Sequence, residues 1–141
     1  MVKQYIVVRN QVATRDGMQM SAPKLAVMVS HASMCFLSRR VGEAIREGGQ
    51  LQLSDEEKEW LENSFVKILL KAKNLHAMEK IVGSAEENGL QENVDFFCIR
   101  DDCTTELLPD EGKKTAFVAI GFRPMAVEQL KPVVGKLQLL R

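Results

Sequence analysis

The chain is poor in cysteine, holding only Cys35, Cys98 and Cys103. The count is odd, and the spacings match neither a zinc site nor a CxxC pair. Each reads as a small apolar side chain, and free thiols suit a reducing compartment, so a cytoplasmic location is expected. Surplus basic charge is missing too: Lys plus Arg and Asp plus Glu are 19 each, for a net charge of zero. A protein held to nucleic acid by many phosphate contacts usually carries a basic excess. Any such role here therefore needs a local basic patch. No apolar stretch approaches the roughly 20 residues of a membrane span, so no membrane association is expected. The opening MVKQYIVVRN admits a charge at once and reads without a secretory leader. GxGxxG, P-loop and GxSxG motifs are absent, as is any His/Cys/Asp cluster with metal-ligand spacing. No cofactor and no metal are expected, and residues 1–141 show no repeat, low-complexity tract or linker.

What is present suits one globular domain: 141 residues, 45% apolar and 27% charged. Tyr5–Val8 is a β-branched run that predicts a central strand. Ser21 and Pro23 mark a helix start. Leu25, Met28, Val29, Ala32 and Phe36, then Val41, Ala44 and Ile45, recur at helical spacing until Gly48-Gly49. Ser54 to Glu57 forms a capping box that opens a short helix through Trp60 and Leu61. Residues 65–70 predict a second strand. Asn74 caps a helix carrying Leu75, Met78, Ile81 and Val82 and ending at Gly89. Residues 94–99 and 115–120 predict two more strands, the last closed by Gly121. Pro124 opens a final helix that Gly135 ends, and residues 137–140 predict an edge strand. Alternating strands and helices predict a three-layer α/β/α sandwich with a four- or five-stranded mixed sheet. The crossovers should be parallel, except for a hairpin linking the 94–99 and 115–120 strands.

Four residues stand out for chemistry. Lys24 lies in a helix first turn, where the macrodipole disfavours a cation. It either snorkels into water or joins the free N–H groups there in an anion or oxyanion site. His31 follows seven residues later on nearly the same face, as a hydrogen-bonded core residue or a general base. Asp101 and Thr105 lie in the Arg100–Thr105 segment that follows the third strand, where ligands bind in α/β sheets. The same residues also make an ordinary self-bonded turn.

Together these segments resemble the type 2 peptidyl-tRNA hydrolase family. KQYIVVRN is similar to the family's opening strand. PKLAVMVSHA (23–32) is similar to its lysine, Ala-Ala-Gln, Ser-His-Ala segment. Trp60 followed by VKILLKAKN is similar to its second strand, DDCTTELLP (101–109) to its Asp, Thr and Pro motif, and AIGFRP (119–124) to its Ile-Gly-Pro ending. The likeness runs through nearly the whole chain in order. Met28 stands where the family has a glutamine, and a thioether cannot donate an amide hydrogen bond. The resemblance implies a three-layer fold, often a homodimer, and hydrolysis of the ester between a peptide and the 3′ ribose of tRNA. It places Lys24, His31, Asp101 and Thr105 at functional positions: Asp101 on the attacking water, Lys24 on developing negative charge, Thr105 orienting water or substrate, His31 in support. A non-catalytic binding module and a hydrolase of another small ester or amide remain open on the same scaffold.

Overall fold

The computed structural model describes all 141 residues. Strand β1 (Val2–Arg9) forms the centre of a mixed sheet. Its side chains alternate as extended backbone requires. Ile6 and Val8 enter one apolar cluster, Val7 another. Helix α1 (Ala22–Glu47) lies on the first of these faces through Met28, Ala32 and Phe36. The buried Gln4 fastens it there, donating to the Ser33 carbonyl at 2.8 Å and accepting from the Ser33 hydroxyl at 2.7 Å.

Helix α2 (Asp55–Glu59) starts with the expected capping box and runs into a π-helical turn, Trp60–Ser64. Strand β2 (Lys67–Ala72), helix α3 (Leu75–Glu87), strands β3 (Phe96–Asp101), β4 (Ala116–Phe122) and β5 (Met125–Ala126), helix α4 (Val127–Val134) and strand β6 (Gln138–Leu139) complete the chain. The sheet order is β3-β4-β1-β2-β6, with β5 paired to the start of β1. Helices α3 and α4 supply Met78, Ile81, Leu130 and Val133 to the face opposite α1. The fold is thus the expected α/β/α arrangement. β4 runs between both helical layers and is buried at every position.

β1 and β2 are parallel, and β4 is antiparallel to both β1 and β3. β1, β2 and β3 therefore point the same way. α1, the crossover between β1 and β2, must run back against them. Its N-terminus lies at the strands' C-terminal ends.

Several boundaries shift. The second strand starts at Lys67 rather than Phe65. Phe65 closes the π-helical turn in the left-handed region (φ 51°), and the Val66 carbonyl accepts from the Trp60 indole at 2.8 Å. The third strand continues through Asp101, so Arg100 and Asp101 are its last residues and not a loop after it. The last helix begins at Val127, three residues beyond Pro124, because Met125 and Ala126 pair with β1 and the Ala126 N–H donates to Glu56 at 2.6 Å. Gly121 lies inside β4 rather than closing it. A Cβ there would collide with the Ala32 carbonyl of α1, so glycine is what lets helix backbone rest on strand backbone.

Candidate active site

Ser21 is the N-cap of α1, with extended backbone (φ −62°, ψ 158°), and its side-chain oxygen accepts from the Lys24 N–H at 3.3 Å. Pro23, within the first turn, needs no intrahelical donor there. Lys24 thereby leaves the helix at the top of the sheet. In β3, Phe97 and Ile99 contact the α1 side, and the period of two puts Asp101 on that side as well. β3 is parallel to β1, so its last residue also lies at the top.

These two constraints meet in an ion pair. The Lys24 Nζ is 2.6 Å from Asp101 Oδ1 and donates to Thr105 Oγ1 at 3.3 Å. The side chains are 16% and 9% exposed, shielded enough to strengthen their attraction yet open to a small reactant. Asp101 Oδ2 accepts from the Cys103 N–H at 2.9 Å. That turn requires Cys103 in the left-handed region (φ 60°). Thr105 is exposed, and while it accepts from Lys24 its own hydroxyl proton stays available.

The loop between β3 and β4 is held along its length. The Leu108 N–H donates to the Ala13 carbonyl and the Arg15 N–H to the Glu106 carbonyl, both at 2.9 Å, over buried Val12 and Leu107. Further on, Asp110 takes Arg9 at 2.7 Å and the Phe117 N–H at 2.8 Å.

Glu106 is a site residue that the sequence pattern did not reveal. It accepts from both the Ser21 hydroxyl (2.6 Å) and the Ser21 N–H (2.8 Å). These bonds, the hydroxyl's first, hold its carboxyl below the usual carboxylate range. The available signal was indirect. α1 has no acidic residue in its first turn, where the macrodipole favours one, so the charge arrives from a distant loop.

His31 does not join the cluster. Seven residues along the helix carry it about 10 Å from Lys24, and it is exposed, on the wall of a groove between α1 and β3. Met28 faces the sheet instead, buried in the same apolar cluster as Ile6, Val8 and Ala119, so it serves the core. The thiols are poor nucleophiles at neutral pH. Burial, with Asp101 alongside, raises Cys103, and burial with Glu92 pushes Cys98 up to about 12. The chemistry the centre offers is a carboxylate that can orient water, an ammonium at a helix N-terminus that can meet negative charge, and a free hydroxyl.

The model of the peptidyl-tRNA hydrolase PTH2 family matches residues 2–140, and the chain belongs to that family. A relative from Methanopyrus kandleri, named peptidyl-tRNA hydrolase, is 31% identical over 141 residues, with the whole of both chains covered.

Proposed function

We propose that this chain hydrolyses the ester joining a peptide to the 3′ ribose of tRNA, at a centre made of Lys24, Asp101 and Thr105. The observation that carries the reading is the 2.6 Å pair between Lys24 and Asp101 at the N-terminus of α1, with Thr105 in reach of the same ammonium. Family membership and the relative's name support the substrate class.

Each oxygen of Asp101 has one partner, Lys24 Nζ on Oδ1 and the Cys103 N–H on Oδ2, and a second lone pair for a water. Asp101 draws a proton from that water as its oxygen attacks the ester carbonyl. The carbonyl oxygen takes up negative charge beside Lys24 at the positive end of the α1 dipole. Collapse breaks the bond to the 3′ oxygen, which leaves with the proton, and the peptide departs as a carboxylic acid. Thr105 orients the water or the ribose oxygen, and His31 flanks the entry. In this reading the side chains suffice without a metal or cofactor. The cytoplasm, where peptidyl-tRNA arises, is the compartment it requires. No helix is long and apolar enough to cross a membrane. Homodimer formation belongs to the same reading and is measured by sedimentation.

The test is release of peptide from purified peptidyl-tRNA by the native chain and by Lys24→Ala and Asp101→Ala. Loss of one charge-stabilising or proton-transfer group should lower kcat by about 10²–10³, with circular dichroism unchanged. Full activity in both variants refutes the site.

A further inference from the structure

β3 is an outer strand of the sheet, and its free side borders the candidate centre. Which of its main-chain groups face outward follows from the hydrogen bonds. Phe96 spends its N–H on the Gln91 carbonyl and its carbonyl on the Asn93 N–H, both outside the sheet. Alternation then turns Cys98 outward as well. A bulge separates Ile99 from Arg100 in the pairing with β4, and beyond it Arg100 stands opposite Phe117. Its partner Phe117 gives its N–H to Asp110 and its carbonyl to Arg9, leaving neither for Arg100. Cys98 and Arg100 thus offer two N–H and two C=O groups along an open edge.

Natural edges are usually blunted by proline, lysine or a covering element. Here residues 91–93 cover the edge at Phe96 alone; beyond it Phe97-Cys98-Ile99 contains no charge, and the Arg100 guanidinium folds back over the Phe117 ring at 5.1 Å. A groove flanks the edge on each face. One, of about 530 Å³, runs between β3 and α1 past Met34, Ile99 and His31. The other, of about 440 Å³, lies between β3 and α3 beside Val82, Cys98 and Arg100. An added strand would send successive side chains into the two grooves by turns.

Resting on the function proposed above, we infer that the peptide of the substrate binds as an extra strand on β3. A hydrolase indifferent to peptide sequence must hold what all peptides share, which is the main chain. The direction is fixed by the chemistry. The ester carbonyl, at the peptide's C-terminus, must reach Lys24 and Asp101 at the C-terminal end of β3, so the peptide runs parallel to β3. With its first residue (counted from the ester) opposite Asp101, its third lies opposite Ile99. In parallel pairing that third residue donates its N–H to the Cys98 carbonyl and accepts at its carbonyl from the Arg100 N–H. The second residue turns its N–H away.

Changing the substrate rather than the protein tests this without disturbing the fold. The native chain is given N-acetyl-aminoacyl-tRNA, N-acetyl-tripeptidyl-tRNA, and the tripeptide N-methylated at the third or the second residue. We expect kcat/KM to rise at least tenfold from one residue to three. Methylation at the third residue should remove roughly three- to tenfold, the effect of one hydrogen bond, and methylation at the second should leave it intact. Equal turnover of all four substrates overturns strand addition while the hydrolase reading stands. So does equal loss at both methylated positions. A dimer in sedimentation with no length dependence gives the edge to a second copy and overturns it as well. Turnover of none overturns both.

Discussion

Glu106 caps a helix to which it does not belong, and this ties the candidate centre to pH. Its carboxylate accepts two hydrogen bonds from Ser21 and is held below its ordinary value of 4.5. A carboxyl depressed in the folded state contributes stability that is complete above its unfolded value. The contribution is lost as pH falls through the folded value. Glu106→Gln should therefore be less stable than the native chain at pH 7, and its melting temperature should fall less steeply below pH 4.5. Parallel melting profiles for the two proteins across the acid range would show that Glu106 does not lock the loop to α1. At this scale the sequence was informative about Lys24, Asp101 and Thr105, through an out-of-place cation and the order of motifs. Glu106 was hidden because its partner is 85 positions away, and no local pattern marks such a pair.

Among the elements, α1 is the one whose placement matters most. It is 26 residues long, bounded by the Ser21 cap and a left-handed Gly48 (φ 64°), both legible in the sequence. Its distance from the sheet was not legible. That is set at Gly121, where the Ala32 carbonyl occupies the space of a side chain. Gly121→Ala should cost about 3 kcal/mol or more in denaturant unfolding, since neither backbone can yield. Gly83, inside α3 with nothing near its missing Cβ, is the control. Gly83→Ala should gain about 0.5–1 kcal/mol through helix propensity. A mild effect at Gly121 would mean that α1 can lift from β4, and with it Lys24 from Asp101. The other misplaced boundaries have similar causes. Phe65 suits a strand by residue type but closes a π-helical turn, and Pro124 suits a helix start but precedes a two-residue strand.

For the whole molecule, zero net charge limits how much of the proposed binding to tRNA can be electrostatic. Each phosphate neutralised on a single-stranded end contributes about −0.7 to the slope of log affinity against log salt. Two or three contacts near the 3′ end predict a slope of about −1.5 to −2 for kcat/KM on peptidyl-tRNA. A slope near zero, with turnover retained on a small ester lacking the nucleic acid, would favour the small-substrate reading instead. Topology also acts at this scale. Because β1, β2 and β3 are parallel while α1 runs back against them, the start of α1 and the end of β3 share one end of the sheet.

The sequence alone determined the main helices and strands, their order and the α/β class, while the short strand β5 and the π-helical turn came only with the structure. Burial periods of 2 and 3.6 residues and the capping side chains are local properties, readable within a dozen positions. Only the tertiary structure decided the contacts between distant segments: the Lys24–Asp101 pair, the Glu106 cap, the Gly121 contact and the unoccupied side of β3. Those depend on strand order, on the face each strand turns to its helix, and on how closely two backbones approach. These are relations among segments, which no single stretch of residues encodes.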